Sequence, residues 1–317
     1  MAVLGVTLSA FLIERTDLAQ LHVQLDAVCG WLSIAMALEV ARMLAELWST
    51  RNVLGQRAST VPPVTLLRGQ LMCFAFSTLL PAGRAVGEAT KAAIYCEALP
   101  AAIAGSAAVV GQTLTLITNG LVGLFAAVLA VRTPHGAPIA ALCLPYGAGL
   151  LAVGVALAAV VRSPRVASWM GRLSWTARWS AQLVQAAQHN QRVGIGALLP
   201  QLLARAVQML QLAVLAGAFA QALPWLRAPI LQAIYGLGAA AGDLMPAQIG
   251  TVDAAFVLGS EVLGMSAASL VALALALHVV QVVVACACCL VAAWLSQSSR
   301  LAPRGAGPEA RRQLWET

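Results

Sequence analysis

The chain has 317 residues, 60% hydrophobic and 10% charged, with a mean hydropathy of +0.83; soluble domains carry about 25% charged residues, so a water-soluble globule is excluded. The formal net charge of +7 falls mainly on arginines in short linkers, where it reads as the cytoplasmic charge bias of a membrane protein rather than as a nucleic-acid surface. Seven cysteines lie in apolar segments, and the Cys286-Ala287-Cys288-Cys289 run has no His or carboxylate at ligand spacing, so they read as apolar filler, with no metal or cofactor expected.

Residues 1–13 are apolar but shorter than the ~20 residues a spanning helix needs. They lack the basic start of a signal peptide and read as a clipped or tilted first helix. Segment 25–48 can cross; its Glu39, Arg42 and Glu46 form a stripe at helical spacing that should face a cavity or another helix. Glu46 stands near enough to the cytoplasmic end to snorkel. Arg51, Arg57 and Arg68 mark the next linker as cytoplasmic.

Segment 65–99 contains Pro81-Ala82-Gly83-Arg84-Ala85-Val86-Gly87-Glu88-Ala89. Pro81, Gly83 and Gly87 should break the helix inside the apolar run, where a freed backbone and a charge are both costly. Arg84, Glu88 and Lys91 then share one helix face. A purely local ladder among them leaves one net positive charge, beside the free N–H groups of a new helix start. That combination suits a lipid phosphate.

Segments 101–131 and 137–161 form an out-and-back pair, the first with a polar side of Gln112, Thr113, Thr115, Thr118 and Asn119. Linker 162–193 mixes five arginines with Trp169, Trp175 and Trp179 and reads as a cytoplasmic helix lying in the interface. Segment 194–222 carries Gln201, Arg205, Gln208 and Gln211 at helical spacing, with Arg205 near mid-span.

Segment 229–263 contains Pro246-Ala247-Gln248-Ile249-Gly250-Thr251-Val252-Asp253-Ala254, which repeats the earlier pattern of Pro-Ala, a glycine, and an acid seven places on. Pro246 and Gly250 should break this helix too. Asp253 falls in the first turn after the break, as a cap or a ligand group. Asp243 falls near the end of the preceding half-helix, so it should be protonated or paired with Arg84 or Arg205. Segment 267–295 carries His278 and Gln281, and residues 296–317 read as a cytoplasmic tail.

Three arginine-rich linkers on one side restrict the crossings. Segments 65–99 and 229–263 must each leave and return on the same face, because two half-helices of roughly 15 residues rise only about 22 Å each. The expected fold is therefore one all-α polytopic domain over 1–295, built as an inverted repeat with two re-entrant hairpins. The repeat pairs 25–131 with 194–295. Arg42 precedes Pro81 by 39 residues and Arg205 precedes Pro246 by 41; Gln112 follows by 31 and His278 by 32.

The run Leu79-Leu80-Pro81-Ala82-Gly83-Arg84-Ala85-Val86-Gly87-Glu88-Ala89-Thr90-Lys91-Ala92 resembles the flippase-like membrane region of lysylphosphatidylglycerol synthases, a family that includes stand-alone bacterial proteins tied to hopanoid or polyprenyl lipids. Leu80, Pro81, Gly87, Glu88 and Lys91 fit its first motif; Pro246, Gly250, Asp253, Leu263 and Gly264 fit its second. The resemblance covers roughly 20–295. The family's Glu-Arg after the first motif is replaced by Val110-Gly111-Gln112-Thr113-Leu114-Thr115, its last-helix Arg by His278 and Gln281, and its second acid is Asp253 rather than Glu. These departures imply a divergent branch with other headgroup chemistry. The resemblance does not extend to the synthases' aminoacyltransferase domain, so lysine transfer is not expected from this chain.

The function expected is transport of a lipid or lipid-linked molecule with an anionic headgroup between leaflets of the bacterial inner membrane, with the C-terminus cytoplasmic. Arg84, Glu88, Lys91, Arg205, Asp243 and Asp253 are the expected substrate-binding residues. Arg42, Gln112, Gln201, Gln208 and His278 are expected to line the cavity. No Ser/His/Asp arrangement or nucleotide loop marks an enzyme. Two rivals are a non-transporting scaffold for lipid-biosynthesis enzymes and a membrane-embedded lipid transferase.

Overall fold

A computed structural model describes residues 18–170, 195–219 and 225–301, with a few isolated positions besides. The helix expected over 1–13, most of the linker 162–193 including Trp175 and Trp179, and the tail beyond 301 lie outside the described residues.

Among the described residues the chain is helical, without a strand: α1 (Leu18–Cys29), α2 (Leu32–Leu54), α3 (Pro63–Leu79), α4 (Gly83–Tyr95), α5 (Ala101–Val131), α6 (Ala137–Arg162), α7 (Pro164–Met170), α8 (Ile195–Gly217), α9 (Ala228–Ala241), α10 (Thr251–Leu258), α11 (Ser260–Leu263) and α12 (Ala267–Leu301). Four helices (α5, α6, α8 and α12) are long and apolar enough to cross a bilayer; α1 and α2, bent by 62° at their junction, make a fifth if taken as one span. This is a multi-pass membrane protein. The apolar segment read over 25–48 falls in that bent pair, and α12 continues to Leu301, past the expected end at 295. The apolar stretch of α12 is 67% buried and that of α6 only 11%, so α12 is central and α6 peripheral.

Both proline motifs end a helix. After Leu79 the chain turns, and Ala82 takes the left-handed conformation (φ 51°, ψ 34°) before α4 begins. After Ala241 it turns again, and Ala247, likewise the residue after the proline, takes φ 51°, ψ 10°, followed by Gln248 at φ 57° and Gly250 at φ 88°. An L-residue there costs about 1–2 kcal/mol, so each turn is held by its surroundings. The arms α3, α4, α9 and α10 have 17, 13, 14 and 8 residues. They rise about 12–25 Å, less than the ~30 Å hydrocarbon core.

Each broken segment doubles back on itself. In the first, a Cβ on Gly83 would fall 2.3 Å from the Ser77 carbonyl oxygen, one on Gly87 2.5 Å from that of Cys73, and Tyr95 lies against Gly69 while its hydroxyl donates to the Leu66 carbonyl at 3.2 Å. The partners run backwards, so α4 is antiparallel to α3. In the second, Gly242 abuts Gln248 and Thr251, Gly238 abuts Val252 and Ala255, and Gly259 abuts Ile234. The expectation that Gly87 breaks the helix is corrected here: it lies within α4, whereas Gly83 opens α4 directly after the break. Both serve close approach, the small-x-x-x-small device of membrane helices.

The packing pairs have a regularity. α2 lies on α8, α3 on α12, and α5 on α9. Exchanging α2 with α8, α3 with α9, α4 with α10 and α5 with α12 carries α3–α4 onto α9–α10, α4–α5 onto α10–α12, and α3–α12 onto α9–α5, all of which are contacts.

Candidate functional site

Between the two doubled-back segments lies a polar cavity of about 150 Å³. Arg42 and Glu46 enter it from α2, Gln70 and Cys73 from α3, and Arg84, Glu88 and Lys91 from α4. Gln112, Thr115 and Asn119 enter from α5, Gln201, Arg205 and Gln208 from α8, and Gln232 and Tyr235 from α9. Ala247 and Gln248 of the second break and Gln281 of α12 complete the wall, so every expected repeat element except α10 supplies a group.

Glu46 organises one side. Its Oε1 accepts from Arg42 Nη1 at 2.7 Å and Arg205 Nη2 at 2.6 Å, and its Oε2 from Gln70 Nε2 at 3.3 Å. Arg42 also donates to Glu39 at 2.6 Å and stacks 5.5 Å over the Phe74 ring. Arg205 donates to Gln208 at 2.7 Å, and Gln232 passes the chain on to Gln208 at 3.1 Å. Buried ions need such partners, because solvation is lost. Some capacity is left over: Nε of Arg42, Nε of Arg205, and Oε1 of Gln70 and of Gln232 are buried without a protein partner.

The other side is built on α4. Lys91, almost fully buried, donates to Glu88 at 2.8 Å, and Gly111 of α5 leaves room for its Nζ. Arg84, at the second residue of α4, faces Asp243 at 3.6 Å, with 32% and 41% of the two side chains exposed. A purely local ladder along α4 is therefore not what forms: Glu88 serves Lys91, and Arg84 turns to the second segment.

The lysylphosphatidylglycerol synthase TM region family matches the chain over residues 2–289. The chain belongs to that family. No curated protein and no solved structure gives a significant match.

In this lysylphosphatidylglycerol synthase TM region, the expected residues Arg42, Arg84, Glu88, Lys91, Gln112, Gln201, Arg205 and Gln208 meet at the one cavity. Asp243 stands at its edge through Arg84. Asp253 and His278 do not line it, which corrects their placement. One Asp253 oxygen accepts the Gly250 N–H at 2.6 Å, closing the start of α10, and the other meets His278 Nε2 at 3.2 Å. Thr113 and Thr118 are also turned away, bonded to carbonyls of their own helix.

Glu46 does not snorkel. Its carboxylate points inward because two guanidinium groups meet it there, a pull that spacing along one helix does not show. Sequence reasoning missed Gln70, Gln232 and Tyr235 as lining residues. The signal available was a polar side chain in each first arm, Gln70 eleven residues before Pro81 and Gln232 fourteen before Pro246.

Proposed function

We propose that this protein carries a lipid or lipid-linked molecule with an anionic headgroup between the leaflets of a bacterial inner membrane. The observation that carries the reading is the cavity itself. Four cations converge on one cavity in an apolar protein, Arg42, Lys91 and Arg205 within it and Arg84 at its half-exposed edge, with buried donors at Arg42 Nε and Arg205 Nε that no protein group meets. Charges in such a setting are costly and mark a ligand path. A phosphate offers acceptors for those donors and competes for Arg84, whose partner Asp243 is loosely held.

The exchange of packing pairs between 25–131 and 194–295 supports an inverted repeat, and arms too short to cross, folded back on themselves, support re-entrant hairpins. In that architecture the headgroup sits between the hairpins and the halves rock around it. The arginine-rich linkers support a cytoplasmic C-terminus.

The test is a leaflet-exchange assay in proteoliposomes with fluorescent phosphatidylglycerol and dithionite quenching of the outer leaflet. The wild type should render the inner-leaflet probe accessible, and Arg84→Ala or Arg205→Ala should slow this at least tenfold. Exchange unaffected by both substitutions removes the cavity from the path. Conversion of the probe to a new lipid without exchange would point to a transferase, and neither exchange nor conversion to a scaffold.

A further inference from the structure

A second, larger hollow of about 580 Å³ opens beside the polar cavity, between α4, α5, α6 and α9. Its wall is made of small and aliphatic residues, among them Ala85, Ala89 and Ala92 of α4, Gly105 and Val109 of α5, and Leu157 of α6. Ala85, Ala89, Val109 and Ala240 are exposed, so the groove is open on its outer side. Arg84, Glu88 and Gln112 belong to both hollows, and Asp243 stands with Arg84 at the junction. The two spaces are thus one amphipathic path: an apolar trough ending at a half-exposed ion pair, with the polar chamber behind it.

We propose that the groove holds a hydrocarbon chain of the lipid whose phosphate reaches Arg84, and that the Arg84–Asp243 pair is the gate the phosphate opens by displacing the Asp243 carboxylate. This rests on the headgroup reading above and adds the place of the tail, the route from the bilayer and the residues that guard it. The volume falls within the range of about 300–1,000 Å³ typical of small-ligand sites. Lipid tails are as apolar as the groove wall, so moving a tail from bilayer to groove yields little by itself. The head therefore sets occupancy: an anionic lipid is drawn in by Arg84, and a neutral one with the same tails is not. The displaced Asp243 remains near the mouth as a carboxylate, which repels the phosphate once Arg84 lets go and favours release.

The test uses two photoactivatable probes in proteoliposomes, phosphatidylglycerol and diacylglycerol, each with a diazirine in one acyl chain, and maps the labelled residues. Four variants of the full chain are compared, one of them Asp243→Asn, which weakens the gate. Gly105→Phe fills the groove at a place where an added Cβ meets nothing within 4 Å, so the fold tolerates it; Gly149→Phe, equally unobstructed and on the peripheral helix, is the control. Arg84→Ala removes the head contact.

Phosphatidylglycerol should label Val109 and Leu116 of the wild type and of Gly149→Phe. This should fall at least fivefold in Gly105→Phe, and in Arg84→Ala to the weaker level given by diacylglycerol. Asp243→Asn should raise it. Undiminished labelling in Gly105→Phe overturns the groove while leaving the headgroup reading intact. Labelling that Arg84→Ala leaves unchanged, with phosphatidylglycerol no better than diacylglycerol, sinks the headgroup reading. Equal labelling of Val109 and of exposed Leu144 and Val155 on α6 means annular lipid only and overturns the proposal.

Discussion

Arg205 on α8 meets Glu46 on α2 at 2.6 Å, and Arg42 meets the same oxygen at 2.7 Å. One carboxylate therefore holds two guanidinium groups, one from its own helix and one from the helix packed against it. Removing one partner of a buried ion pair costs about 3–5 kcal/mol, because the remaining charge is left uncompensated. Glu46→Ala should lower the thermal unfolding midpoint in detergent by several degrees, and Glu46→Gln combined with Arg205→Gln should recover part of it. A Glu46→Ala protein that melts with the wild type would mean this pair is not what joins α2 to α8.

Gly87 is closed on one side by Ser77 Oγ, 2.2 Å from where a Cβ would stand, and by the Cys73 carbonyl oxygen at 2.5 Å. Gly87→Ala should destabilise by about 1–3 kcal/mol through overpacking. Gly105→Ala has open space and should be neutral or stabilise by up to about 1 kcal/mol, since alanine is the better helix former. Unfolding curves of the two variants in the same detergent give the comparison, and equal midpoints would contradict the packing of α4 on α3.

Ala82 and Ala247 hold the same left-handed conformation at the same place in the two motifs. Glycine relieves the strain there by about 1–2 kcal/mol, and the looser unfolded chain takes back about 0.4–1 kcal/mol. Ala82→Gly and Ala247→Gly should each leave the melting midpoint unchanged or raise it slightly. Ala82→Val should lower it clearly. A large drop with glycine at either place would show that the turn is not strained.

Asp253 ties the start of α10 to His278 on α12 and stands apart from the cavity. Loss of a helix cap costs about 0.5–2 kcal/mol. Asp253→Ala should therefore reduce thermal stability while leaving lipid exchange per folded molecule within about twofold of wild type below the melting range. A tenfold loss of exchange without loss of stability would return Asp253 to the ligand path.

The helix breaks were readable from the repeated pattern of Pro-Ala with an acid seven places on: Pro81 and Pro246 stand where a helix stops, whereas Pro145 and Pro200, which lack that pattern, lie inside α6 and α8. The cations of the cavity were readable too, since Arg84, Lys91 and Arg205 have no other sensible place inside a membrane domain. What the chain order could not disclose was partner choice. Asp243 was open between Arg84 and Arg205, and only the approach of the two segments decides for Arg84. Glu46 and His278 went to the wrong places for the same cause, each being drawn by a residue more than twenty positions away. Gly87 looked like a breaker because its neighbours on α3, Cys73 and Ser77, are invisible along the chain.

With each group in its ordinary ionised form, Arg42, Arg84, Lys91 and Arg205 are answered by Glu39, Glu46, Glu88 and Asp243, each within 4 Å of its counter-ion. The sum is zero. Displacing one unit charge through the full membrane potential amounts to about 2.3 kcal/mol per 100 mV, so an unloaded protein moving this cluster is indifferent to voltage. On the transport reading proposed above, a singly charged cargo adds the charge that this cluster lacks, and currents recorded with and without lipid would test that.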